Sequence, residues 1–216
     1  LRNKKFENIW IQPAAGDAGG SLGAALAFWY QELDNQRSDF KDKMRGSYLG
    51  PKFDNDKVIE ELSQLKANYK ILNDNEMIPI IARELSNNKI VGWFQGRMEF
   101  GPRALGARSI LANPRSSTMQ KELNLKTKYR ESFRPFAPSI LREDLTEWFD
   151  MDNDSPYMLL VCDVNKSKQI KMNEEQKKLF GIDKLNISRS LVPAITHVDY
   201  SARIQTVHEE TNKKYY

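Results

Sequence analysis

The stretch Gly92-Trp-Phe-Gln-Gly-Arg97-Met-Glu99-Phe-Gly101-Pro-Arg103-Ala-Leu-Gly106-Ala-Arg108-Ser109-Ile-Leu111 sets three arginines, one glutamate and one serine among four glycines. It continues an apolar run, Lys89 to Phe94, that reads as a strand. Glycine weakens helices and strands, so a structural segment gains little by alternating it with arginine. A loop that approaches an anion gains from both, because bare backbone permits close approach and each guanidinium offers a fork of donors. Glu99 is placed to pair with one arginine and hold it in position. The alternative is a surface ion-pair network on a loop. Arg97, Glu99, Arg103, Arg108 and Ser109 are the first candidate binding residues.

Downstream, Asn124-Leu-Lys126-Thr-Lys128-Tyr-Arg130-Glu131-Ser-Phe-Arg134-Pro-Phe-Ala-Pro138 repeats the theme, with cations spaced by aromatics and prolines. Pro135 and Pro138 fix φ, so Arg134 is presented from a stiff backbone. Interleaved Arg, Tyr and Phe also suit stacking on nucleic-acid bases, but Glu99 and Glu131 break what would otherwise be a uniform basic stripe. A third cluster, Pro193 to Val207, contains His197, Asp199, Arg203 and Gln205. Strand alternation places these four on one side, with Val198 and Ile204 on the other. His197 is a proton-transfer candidate or, equally, a hydrogen-bonded structural histidine. His208 carries little weight.

Upstream, Ile9 to Ile11 reads as a short strand, Gly16-Asp17-Ala-Gly-Gly20 as a turn with glycines suited to positive φ, and Ser21 to about Leu33 as a helix. A strand, a glycine turn and a helix together present backbone N–H groups to an anion, or they form no more than a tight connection. The polar run Asp34 to Pro51 reads as a linker, which places a domain boundary near residue 50. An amphipathic helix is expected over Asp56 to Tyr69, capped by Asp56, and another over Pro79 to Leu85 with Pro79 in its first turn. Asp144 to Phe149 reads as a helix and Tyr157 to Val164 as a strand. One or two strands are expected in Leu191 to Val207. Asn165 to Ser190 reads as a solvated insertion.

With 216 residues, 40% of them hydrophobic, the chain has enough apolar side chain for a packed core. Its apolar runs are far shorter than the roughly 20 residues of a membrane span. The single cysteine, Cys162, lies in an apolar run and reads as a core residue, which suits a reducing, cytoplasmic setting. The net charge of +4 fits a nucleic-acid surface or arginines gathered around a small anion. One cysteine and two distant histidines offer no zinc pattern, and neither a Walker A loop nor a nucleophile elbow occurs.

Taken in order, Gln12-Pro13 to Ala25, Trp93 to Leu111, Lys128 to Pro138, and His197-Val-Asp199 with Ala202 to Val207 closely resemble the carbamoyltransferase family of nodulation protein U and the antibiotic O-carbamoyltransferases. The resemblance implies a mixed α/β fold: the terminal strand, turn and helix of an actin-like ATPase domain in residues 1–50, then a YrdC-like domain in residues 51–216. It implies that ATP and carbamoyl phosphate form carbamoyl-adenylate, whose carbamoyl group passes to a hydroxyl of a small-molecule acceptor, with no nucleic acid and no membrane involved. Lys128 and Arg130 match the Lys-x-Arg signature, and with His197 and Asp199 they are the expected catalytic residues. Arg97, Glu99, Arg103, Arg108, Ser109, Arg134, Arg203 and Gln205 are the expected binding residues. Asp17 matches an aspartate that helps hold a divalent metal, usually iron, with magnesium the alternative. The family's metal-binding histidines lie upstream of the residues present, and its Ser-Phe-Asn motif lies beyond Tyr216. The chain is therefore expected to be a piece with an incomplete site and no tight metal binding of its own. Related readings are a threonylcarbamoylation or hydrogenase-maturation enzyme, a basic nucleic-acid module, or an inactive scaffold.

Overall fold

The computed structural model describes residues 5–7, 9–37 and 42–216, and its architecture is mixed α/β. In chain order the elements are α1 (Asp17–Ala27), α2 (Asn55–Gln64), α3 (Asp74–Ser86), β1 (Val91–Phe94), β2 (Arg108–Leu111), α4 (Met119–Glu122), β3 (Ser139–Leu141), α5 (Leu145–Trp148), β4 (Leu160–Asp163), α6 (Glu174–Lys178), α7 (Gly181–Leu185) and β5 (Ser201–Val207).

The Arg–Gly stretch is the connection of an antiparallel pair: β1 lies against β2 with Trp93 opposite Ser109. A second sheet has the order β3-β5-β4. There β3 runs parallel to β5, with Ser139 opposite Gln205, and β4 runs antiparallel, with Cys162 opposite Ala202. Alternation along β5 decides what each face meets. Ala202 and Ile204 are fully buried and pack with Leu145, Phe149, Cys162, Val164, Val192 and Ile195. Each large apolar side chain in that cluster contributes about 1.5–3 kcal/mol by leaving water. Arg203, Gln205 and Val207 point the other way, into a cavity.

Several expectations are corrected. Ile9 to Ile11 is irregular, and all three side chains are exposed. The first helix starts at Asp17, four residues before Ser21, and it closes on a π-turn over Phe28–Glu32. Gly19 and Gly20 thus have helical backbone and not positive φ. Gly19 is required for a different reason: a Cβ there would sit 2.3 Å from the Ala14 carbonyl oxygen. Helix α2 begins after Asp54 and ends at Gln64, because Lys66 turns to φ +51. Helix α3 begins five residues before Pro79, which lies inside it, since Asn73 and Glu76 form a reciprocal capping box that the reading overlooked.

The expected linker is not wholly solvated, because Met44, Gly46 and Ser47 are buried and the Ser47 carbonyl accepts from the Phe100 N–H at 2.6 Å. Strand β4 is shorter than expected, with Tyr157 and Met158 in a turn before it. The insertion holds short helices, and β3 was not foreseen. Among the described residues no helix is long and apolar enough to cross a membrane.

Candidate functional site

A cavity of about 660 Å³ opens between the β1–β2 connection, the segment 128–139 and the outer face of β5. This volume lies within the range of small-molecule sites, roughly 300–1,000 Å³. Of the residues named from sequence, Arg103, Ser109, Lys128, Arg130, Arg203 and Gln205 line it. Arg97, Glu99, Arg108, Arg134, His197, Asp199 and Asp17 do not.

The connection is built around Glu99, whose carboxylate is buried. Its Oε1 accepts from the Leu105 N–H at 2.6 Å and the Ala107 N–H at 2.8 Å, and Oε2 lies 3.3 Å from Arg108 Nε. That Oε2 has no aligned hydrogen bond, so its contact with Arg108 is an ion pair alone. Arg108 also donates to the Gly101 carbonyl. Glu99 and Arg108 therefore shape the loop that carries Arg103. Arg97 turns outward, donating from Nη1 to the Gly50 carbonyl at 2.6 Å.

Around this loop lies a set of residues that sequence reading missed. Trp93 Nε1 and Gln95 Nε2 both donate to the Gly106 carbonyl, at 2.8 and 3.0 Å. The Leu105 carbonyl accepts from the Tyr48 hydroxyl and from Gln205 Nε2, each at 2.7 Å. Burial pushes the Tyr48 hydroxyl up to about 12, against the hydrogen bond from Asn212, so it remains a donor at neutral pH. Gly106 adopts φ +112, and a Cβ there would lie 2.4 Å from the Tyr215 ring. Tyr215 in turn donates to Ser139 Oγ at 2.8 Å, and Ser139 donates to Gln205 Oε1 at 2.9 Å. Both ends of the Gln205 amide are thus used inside the protein, so Gln205 braces the cavity wall. Ser109 Oγ accepts from the Gly106 N–H at 3.0 Å, which leaves its own hydrogen to donate. Single polar residues far apart in sequence carry no periodic signal, which is why these braces were not read.

In the second loop, Lys128 is exposed and Arg130 half-buried, its guanidinium 4.9 Å from the centre of the Phe136 ring. Arg134 turns back to Glu131, 2.9 Å away on the surface. Arg203 lies close enough to Arg103 that the two charges repel. Burial first and this repulsion second push the Arg203 pKa down. Arg103, Lys128, Arg130 and Arg203 together bring four cations to the cavity, and among its described lining residues there is no carboxylate.

His197 and Asp199 do not extend the β5 face as expected; they form the turn before it. The His197 N–H donates to the Ser201 carbonyl at 2.8 Å, and its Nδ1 lies 3.0 Å from Ser201 Oγ. Asp199 accepts from both the Ser201 N–H and its hydroxyl, at 3.1 and 2.7 Å. The hydroxyl contact is the main reason its carboxyl sits below the usual range. Burial pushes His197 below its ordinary value, with Asp199 opposing and Arg203 adding to the effect. Asp17 is exposed in the first turn of α1, and among the described residues no group of three His, Cys, Asp or Glu side chains converges as a metal site. The described residues therefore do not form a metal cage by themselves.

The sequence model described as Carbamoyltransferase C-terminus matches residues 82–216. The chain belongs to that carbamoyltransferase family. It is 58% identical over 219 residues to an uncharacterized protein of Synechocystis sp., covering 100% of this chain and 36% of the relative. Nodulation protein NolNO of Sinorhizobium fredii is 38% identical, over 100% of this chain and 29% of the relative. A 3'-hydroxymethylcephem-O-carbamoyltransferase of Amycolatopsis lactamdurans is 30% identical, over 96% and 33%. The chain thus spans about a third of the length of the curated relatives it matches. The matched residues include both cationic loops and β5, so the cavity lies within the region that the family model describes.

Proposed function

We propose that the cavity is the nucleotide side of an O-carbamoyltransferase, where ATP and carbamoyl phosphate are joined into carbamoyl-adenylate. The observation that carries this reading is the gathering of four cations with no carboxylate among the described residues that line the cavity. Like charges crowded in a partly desolvated cleft repel one another, and a polyphosphate relieves that repulsion while gaining charge-assisted hydrogen bonds. A single carboxylate ligand would leave most of the charge uncompensated.

In this reading water releases phosphate from carbamoyl phosphate, and the carbamate oxygen attacks the α-phosphorus of ATP. Pyrophosphate then leaves, and carbamoyl-adenylate remains. Lys128 and Arg130 hold the transferring and leaving phosphates, Arg103 and Arg203 gather charge that builds in the transition state, and Ser109 donates a neutral hydrogen bond. Glu99, Arg108 and Gln205 hold the walls. Arg97 and Arg134, occupied by protein partners, contribute little. His197 and Asp199 set the entry to β5 instead of exchanging protons with substrate.

Family membership and a relative named as a 3'-hydroxymethylcephem-O-carbamoyltransferase support the second half of the reaction, transfer to a hydroxyl acceptor. We assign it to an actin-like domain of which residues 1–50 would form the last part, with residues 51–216 as the YrdC-like part. Asp17 would there join ligands from other parts of the protein around a divalent metal. The test is ATP–pyrophosphate exchange by the full-length protein, with and without carbamoyl phosphate. Exchange that requires carbamoyl phosphate and disappears in Lys128→Ala is expected; carbamoyl transfer without any exchange would overturn the adenylate step.

A further inference from the structure

The side chain of Asn124 is completely buried, a rare place for a carboxamide, and its three side-chain hydrogen bonds all go to the loop that carries Lys128, Arg130 and Arg134. Its Nδ2 donates to the Ser132 carbonyl at 3.1 Å and to the Arg134 carbonyl at 2.8 Å. Its Oδ1 accepts from Arg130 Nε at 2.5 Å, and its backbone carbonyl accepts from the Arg130 N–H at 3.0 Å. One residue therefore fixes Arg130 at both its backbone and its guanidinium while closing the loop beyond it.

The contact uses only Nε of the guanidinium. Among the described residues the two terminal amino groups of Arg130 have no hydrogen-bond partner, and Arg130 lines the cavity without a close ion pair, although the Glu131 carboxylate feels its charge from farther away. The guanidinium also sits over the Phe136 ring. An aspartate at position 124 would neutralise the arginine, and an alanine would leave it free to rotate. A neutral acceptor holds the group still without neutralising it, which keeps its charge available to a ligand.

We propose that Asn124 is a positioning residue: it acts through Arg130, presenting the paired terminal nitrogens of that arginine to a phosphate in the cavity. The proposal rests on the nucleotide reading above, and the probe is ATP itself, bound to the full-length protein and measured by calorimetry. Asn124→Ala is expected to weaken ATP binding about tenfold or more in the wild-type background, and by less than about twofold when Arg130 is already alanine. An amide that only stabilised the fold would give equal losses in the two backgrounds, and that additivity overturns the proposal.

Where Asn124→Ala does not fold, Arg130→Lys tests the same point from the half-buried partner, since lysine keeps the charge but has no Nε to give Asn124. Loss of about tenfold in ATP affinity supports the assignment, and wild-type affinity in Arg130→Lys overturns it. If Arg130→Ala and Lys128→Ala both bind ATP as the wild type does, the nucleotide reading fails and the role of Asn124 with it. Additivity alongside a weakened Arg130→Ala removes only the role of Asn124.

Discussion

The two cationic loops solve one problem with different chemistry. The loop between β1 and β2 folds around a buried charge, the Glu99 carboxylate, which collects two N–H groups and the Arg108 guanidinium. The loop over residues 128–134 folds around a buried neutral amide, Asn124. In each loop one arginine is taken up by a carboxylate, Arg108 by Glu99 and Arg134 by Glu131. Arg97 is taken up by the Gly50 carbonyl, and what reaches the cavity is Arg103 from the first loop, Lys128 and Arg130 from the second. A count of basic residues in a motif thus overstates the charge offered to a ligand: acidic residues inside the motif take up Arg108 and Arg134, and a backbone carbonyl takes up Arg97.

The sharpest way to break this comparison is to empty the first loop's centre. Glu99→Ala leaves two N–H groups and the half-buried Arg108 without their acceptor, and it is expected to cost on the order of 3–5 kcal/mol in urea unfolding. Wild-type stability in that variant would show that the carboxylate does not organise the loop. On the ligand side, Lys128→Ala in the full-length protein is expected to slow carbamoyl-adenylate formation about a hundredfold, a loss of about 3 kcal/mol of transition-state stabilisation, while transfer from pre-made carbamoyl-adenylate stays near wild type. Equal loss of both half-reactions would end the proposed division between them. The overstatement itself is tested by Arg97→Ala and Arg134→Ala, which are expected to change ATP affinity by less than about threefold, as befits exposed side chains already engaged with the protein.

The smallest effect concerns the turn before β5. Because burial lowers the pKa of His197 in the folded state, the unfolded chain binds the proton more tightly. The stability that the neutral ring contributes is complete above its unfolded value near 6.5 and is lost as the pH falls through the window below it. Thermal melts from pH 7.5 to 5 should show a decline that His197→Gln flattens. An unchanged slope would remove His197 as its source.

Much of this arrangement was legible beforehand, and the reasons are physical. Glycine alternating with arginine is costly in regular structure, so the β1–β2 connection was visible as a loop and as a candidate site. The pairing of Glu99 with an arginine was likewise expected. Alternation in β5 correctly put Arg203 and Gln205 on the face opposite Ile204. It failed at His197 and Asp199, because an Asp two residues before Ser201 closes a side-chain-to-backbone turn that a period-two reading cannot detect. The start of α3 was missed because its cap, Asn73, is announced by Glu76 and not by Pro79. The short strand β3 and the braces Tyr48, Asn212 and Tyr215 depend on partners distant in the chain, and no local pattern encodes them.

The parallel pairing of β3 with β5 has a temporal consequence. Ser139 and Gln205 are opposite one another in space yet 66 positions apart in sequence. During synthesis the segments bearing Arg103, Lys128 and Arg130 leave the ribosome well before the strand that bears Arg203. Until β5 arrives, three positive charges wait beside an unpaired strand edge, and pairings over such separations form slowly. The emerging chain therefore passes through a stage in which Arg103, Lys128 and Arg130 have been made while the strand that pairs with β3 has not, and an anion met then would offset charges that β5 has yet to join.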